Sequence, residues 1–321
     1  MVTRGWSSVV FALFLLVGCA PLKDTHIRQQ ILNSNCNQQN IYNYSEGELP
    51  KPLYALSVDH RLSAYLSEGD LNIANAIGIL GDLTRYVQLQ ENLDSADLSK
   101  RLSLLEVKQR IEHKINMSSL EVSAVASEMD CEEERTSQVA NYLRSRESEM
   151  ESKLTISAIV LGAVGAILTG GILSNETASN TAGITFGIAE ASLGLLMLFN
   201  SKKIDFYHQR NALQEVWEDK KVSANFPPFV WYYLNYTDPD KALPSIRKEI
   251  VDRWKNFGQV AEREDESGHL LVPIYFGAGG KYTTEQLSNR ADMYDQLESH
   301  ITLMKQDLKS LSLAVERLEG R

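Results

Sequence analysis

The chain has few of the residues from which common functional sites are built. It has six histidines, His26, His60, His113, His208, His269 and His300, and no two share a metal-ligand spacing; no HExxH is present. It lacks a basic excess, with 32 Lys and Arg against 42 Asp and Glu, so its surface repels nucleic acid and anionic lipid heads. Proline and glycine are both missing from Leu98 to Lys153, which excludes a turn there. Cysteine occurs only at 19, 36 and 131. "GAGGKYT" lacks the leading glycine of a phosphate loop and reads as a glycine turn before a capped helix. "DPD" at Asp238 to Asp240 reads as a turn. No catalytic residue, metal site or cofactor is assigned, and an enzyme ranks behind the two functions considered below.

What is present begins with "MVTRGWSSVVFALFLLVGCAPLK". One positive charge, an apolar run from Val9 to Val17 and a small residue form an export signal too short to span a bilayer. Leu16-Val17-Gly18-Cys19 resembles the lipobox of bacterial lipoproteins. The resemblance covers these residues alone. It implies removal of residues 1–18, diacylglyceryl transfer to the Cys19 thiol and acylation of the new terminus; two or more chains are needed for stable anchoring. The alternative is an ordinary secretory signal cut after Ala20. Ala20, where Asp is absent, resembles the pattern sent to the outer membrane. The expected place is therefore the bacterial cell envelope, lipid-anchored in the outer membrane and facing the periplasm. With Cys19 acylated, Cys36 and Cys131 remain, and an oxidising compartment suggests a disulfide between them; two free thiols are the alternative.

The fold class read from periodicity is all-α, an elongated antiparallel helical bundle or coiled coil with a long apolar, glycine-rich hairpin. A lipidated polar tether is expected over 19–57. Leu66, Ile73, Leu80 and Val87 predict one helix from about Asp59 to Gln90. A second helix starts near Asp97, with Ile115, Val122, Met129, Leu143 and Met150 on one heptad position. Uninterrupted to Lys153, it makes a rod about 80 Å long. The long bundle helices thus occupy 58–153, the hairpin 154–201, and the return helices 202–321. This last part holds a helix from Lys202 to Lys221, the aromatic segment "NFPPFVWYYLNY", a helix from Ser245 to Phe257, and a final heptad helix. The aromatics are expected to pack on the rod. Pro273 in "HLLVPIYFG" and the lack of a matching run argue against a sheet. Thr283 and Gln286 fit a capping box for the final helix, whose seams are Leu287, Tyr294, Ile301, Leu308 and Val315, and Leu297, Met304, Leu311 and Leu318.

The hairpin carries the functional expectation. Residues 154–175 are uncharged, and residues 181–201 hold one charge, Glu190. Gly162 and Gly165 share a small face on the first arm, and Gly183, Gly187, Glu190 and Gly194 share one on the second. Such seams let helix backbones approach closely in lipid. Glu190 is costly in lipid, which places it on the inner face of the hairpin or along an aqueous path. The competing reading keeps the hairpin in a soluble core. A spanning hairpin would leave Lys153, Lys202 and Lys203 on the exported side, against the usual preference for cytoplasmic basic residues. The plan of the mature region resembles α-helical pore-forming toxins in architecture only. Two functions are expected: a non-enzymatic membrane-associated scaffold or tether, or a pore-former that oligomerises through the hairpin. The partners expected are a lipid bilayer and, on the hairpin, further copies or an envelope protein. Non-reducing electrophoresis checks the disulfide: Cys36→Ser and Cys131→Ser should each shift mobility equally, and unchanged mobility excludes the bond.

Overall fold

The computed structural model describes residues 36, 41–92, 97–167, 185, 189, 192–193, 202–208, 210–260 and 271–319. Cys19 and four hairpin residues, Gly183, Gly187, Glu190 and Gly194, lie outside the described residues. Among those described the protein is mostly helical, with a single two-stranded sheet.

The region expected to be one helix is three: α1 (His60–Ser63), α2 (Glu68–Ala76) and α3 (Leu80–Glu91). The apolar residues named for it are nearly all buried, so the periodicity was real. What divides it is local chemistry. Ser67 accepts from the Asp70 amide while Asp70 accepts from the Ser67 amide, a reciprocal cap that starts α2 afresh. Gly78 then takes φ +75°, which L side chains rarely adopt, and turns the chain into α3.

The long helix α4 runs unbroken from Leu98 to Ile167, through Gly162 and Gly165 and so into the apolar region. The last helix, α9 (Thr284–Glu319), starts at the expected box, where Thr283 and Gln286 cap each other. All nine of its seam residues are buried, and α4 is its main partner. The pairing is antiparallel: Thr284 bonds Glu147, Arg144 bonds Ser288, and further along Asp295 faces Glu133 and Glu298 faces Asp130. Burying each seam residue contributes about 1.5–3 kcal/mol before chain entropy is counted. At the far end α3 packs antiparallel on α4, with Asp82 paired to Arg110 at 2.8 Å.

Three expectations for the remainder are corrected. The stretch from Lys202 to Lys221 is not one helix: it holds strand β1 (Ile204–Tyr207) and a short helix α5 (Ala212–Glu218). A sheet, argued against from sequence, is present: β1 pairs antiparallel with β2 (Gly279–Tyr282), Ile204 opposite Tyr282, while the described part of "HLLVPIYFG" forms helix α8 (Leu271–Phe276). The aromatic segment forms α6 (Pro228–Asn235), buried not on the rod but against α2 and α7 (Ile246–Asn256). Tyr232 donates to Asn72 and Tyr233 to Asp307. By contrast α7, capped by Ser245, ends before Gly258, as expected.

The described part of the tether is strapped down. Cys36 is disulfide-bonded to Cys131 of α4. The Tyr42 amide donates to the Ala224 carbonyl, and the Tyr44 hydroxyl bridges the Ser223 amide and the Phe226 carbonyl. Buried Glu215 holds that loop by accepting from the Ser223 hydroxyl and the Ala224 and Asn225 amides.

The sheet depends on one glycine. Gly279 has φ +95°, and a Cβ there would lie 2.3 Å from the Phe206 carbonyl oxygen. Gly279→Ala should therefore lower stability by about 2–3 kcal/mol, read as a fall in Tm, whereas Gly280→Ala, whose Cβ meets nothing, should leave Tm nearly unchanged.

Candidate functional site, an apolar arm and its base

Helix α9 begins beside Glu147, so α4 outruns its partner by twenty residues, about 30 Å of helix. The last charge on this extension is Lys153, paired with Glu149 at 2.9 Å. Beyond it the helix has two unlike faces. Ala158 and Gly162 are partly covered and Gly165 is buried, on the same angular face that meets α9 lower down. The outer face is branched and aliphatic: Ile156 (62% exposed), Ile159 (65%), Val160, Val164 and Ile167 (60%). By length and composition alone α4 contains an 18-residue window apolar enough to cross a membrane, and only 6% of that window is buried. Of the second run, Thr185, Ala189, Ser192 and Leu193 are helical.

The chain returns to the body where it left it. The Lys202 amide donates to Glu147 Oε1 at 3.1 Å, and the Thr284 hydroxyl donates to Oε2 at 2.8 Å. One carboxylate thus joins the exit of the apolar excursion, its return and the first residue of α9. Its position at the N-terminus of α9 is favourable, because the first-turn amides carry partial positive charge. From Lys202 the chain enters β1, whose partner β2 leads into α9, so the sheet continues the closure. Nothing in the sequence marked Glu147, which is one of several acids in the charged run of a long helix.

Behind the sheet lies a buried polar cluster that the sequence also hid. Arg290 of α9 is wholly buried, and no carboxylate pairs with it among the described residues. Its guanidinium donates to the Tyr275 carbonyl (2.7 Å), Asn211 Oδ1 (3.2 Å) and the Tyr294 hydroxyl (3.2 Å), leaving Nε without a partner. His208, at the end of β1, has Nε2 2.8 Å from the Tyr282 hydroxyl, which donates to the Ile274 carbonyl. The phenol has one proton, so Nε2 carries the hydrogen and Nδ1 is left bare. Burial, with Arg290 and Arg135 nearby, pushes the His208 pKa down to about 2. Burial raises that of Tyr282 to about 12. Arg135 itself lies 4.6 Å over the Phe206 ring and pairs with Glu132. The imidazole therefore stays neutral at physiological pH and acts as a hydrogen-bonding strut beneath the sheet.

Other residues weighed from sequence are dispersed. His60 lies on the surface, and His300 donates from Nδ1 to the Gln296 carbonyl. Asp238 accepts from the Asp240 amide and pairs with Lys241, a turn as expected. Among the described residues no group of three His, Cys, Asp or Glu side chains is placed to hold a metal. No family model matches the chain, and neither a curated protein nor a solved structure matches it.

The depressed His208 pKa has a definite sign. The unfolded imidazole takes up a proton below about pH 6.5 while the folded one does not, so this group's contribution is full above that pH and is lost on acidification. The slope is about 1.4 kcal/mol per pH unit for one proton. Glu133, Asp292 and Glu298, raised first by burial and then by neighbouring carboxylates, work oppositely in the upper carboxylate range. Between pH 6.5 and 5.5 urea denaturation should show falling stability in the native protein and a flatter profile in His208→Gln; identical slopes would remove His208 as the cause.

Proposed function

We propose that this chain is a non-enzymatic lipoprotein of the bacterial cell envelope, lipidated at Cys19, which serves as a membrane-associated scaffold or tether and enters lipid through the arm. The observation that carries the reading is the outer face of α4 beyond Lys153. Five branched aliphatic side chains stand in the open there on a helix without a charge. Their burial is worth about 1.5–3 kcal/mol each, and a helix satisfies its own backbone groups in hydrocarbon. Surface patches of this kind mark a contact with lipid or protein. Gly162 and Gly165, each costing about 1 kcal/mol in a water-exposed helix relative to Ala, suit the inner seam of a hairpin whose second arm carries Gly183, Gly187, Glu190 and Gly194. The closure at Glu147 supports the hairpin, because it brings the two ends of the excursion together.

Alkaline extraction of membranes tests this. Cys19→Ser should lose the N-terminal diacylglyceryl mass yet leave the protein in the membrane pellet, and adding Ile159→Asp should move it to the supernatant. Full release of Cys19→Ser alone would exclude lipid entry by the arm.

A further inference from the structure

We propose that the Cys36–Cys131 disulfide is a redox-operated clasp, closed when oxidised, that holds the strap Ile41–Ser45 over the loop between α5 and α6 and over the contact that fixes the end of the arm's return strand to α4. The clasp needs neither a lipid at Cys19 nor entry of the arm into a bilayer. Both of its cysteines are partly exposed, so an external thiol can reach the bond.

Apart from the disulfide, little holds the strap. Among the described residues three hydrogen bonds fix it: the Tyr42 amide to the Ala224 carbonyl at 3.2 Å, the Ser223 amide to the Tyr44 hydroxyl at 3.1 Å, and that hydroxyl to the Phe226 carbonyl at 3.1 Å. Tyr42 and Tyr44 are only half-buried, and Ile41 is 66% exposed. The nearby Lys221–Glu46 pair is open to water and contributes little. The net gain from such bonds is small, and ordering the backbone of five residues costs about as much. Proximity decides the balance. Only five residues, Asn37 to Ile41, separate Cys36 from Tyr42, so the disulfide keeps Tyr42 at millimolar effective concentration beside its seat. On the other side the chain is held by Asn75, which donates to the Lys51 carbonyl, and by buried Leu53. With the disulfide broken the strap hangs from that side alone.

The Ala224 carbonyl that receives the Tyr42 amide also receives Arg210 Nη2 at 3.1 Å. Arg210 donates through Nε to Asn225 Oδ1 and pairs with Glu128 of α4 at 3.4 Å, where both side chains are largely covered. It lies three residues beyond β1, so Glu147 and Glu128 hold the return strand to α4 at its two ends. Opening the strap lets water reach the Arg210–Glu128 pair, and an ion pair in water contributes little. The state of the disulfide is thereby linked to how firmly the return strand is held. The opening reaction is thiol–disulfide exchange with a dithiol. Its thiolate attacks one sulfur to give a mixed disulfide, its second thiol displaces that cysteine, and it leaves as a cyclic disulfide; the two cysteines gain two electrons and two protons and end as thiols.

Amide hydrogen exchange of the full chain, read with residue resolution with and without excess dithiothreitol, tests the clasp. Reduction should speed exchange at Tyr42 and Ser223 at least about tenfold, while the amides of the α9 seam stay protected over the same time. Removal of the dithiothreitol and air oxidation should restore slow exchange. Cys36→Ser and Cys131→Ser should each show the reduced pattern without any dithiothreitol. Unchanged exchange at Tyr42 and Ser223 in the reduced protein overturns the clasp, because the strap then holds without the bond. Protection lost in α9 together with the strap also overturns it, because the bond then supports the whole fold and not one segment.

Discussion

The antiparallel seam between α4 and α9 is the contact from which the rest of the molecule hangs. Nine buried side chains on α9, two to each heptad, meet a matching stripe on α4 that includes Ile115, Val122, Met129 and Leu143. A seam of this type fixes direction and axial register together, because each side chain must find its own gap in the facing helix. The register has a consequence at each end. At one, α3 fills the space beside the start of α4; at the other, α9 begins at Thr284 and leaves the last twenty residues of α4 without that partner. The arm exists because two helices of unequal length are paired in one register.

At the point where α4 loses its partner, three chain segments have to be joined, and a heptad seam has no further residue to offer. Polar chemistry takes over. Glu147 accepts from the returning chain and from the first residue of α9, while a four-residue ribbon carries the return strand to the entry of that same helix. The ribbon is too short to stand alone. Beneath it Arg290, His208, Asn211, Tyr275 and Tyr282 form a buried network in which carbonyls and hydroxyls, not carboxylates, receive the guanidinium. In such a buried network each remaining bond matters, because Arg290 Nε and His208 Nδ1 already go without one.

Much of the bundle could be read directly from residue order. The seams of α9, its Thr283–Gln286 cap and the unbroken run of α4 all follow from patterns within one helix. The structure joins Cys36 to Cys131, the two cysteines that remain beside Cys19. What misled was any feature in which a local signal competed with a periodic one. Gly78 and the Ser67 cap divide a run whose heptad continues undisturbed across the breaks. The strand "IDFY" is too short to outweigh the helical pattern around it, and its partner "GGKY" has two glycines where strands favour branched residues. Gly279 is there for its backbone, so composition could only suggest a turn.

By itself, then, the sequence determined the helical period, the length of the charge-free stretch beyond Lys153 and the side of each helix that is apolar, since these depend on neighbours within a few residues along one axis. Only the tertiary structure decided where that stretch leaves the body, that Glu147 and Lys202 meet at its base, that Arg290 is buried with no countercharge among the described residues, and that the branched face of the arm, not its small-residue face, is left open. Those outcomes depend on which segments approach one another across more than fifty residues of chain. No local periodicity encodes that approach; the register of the α4–α9 seam does.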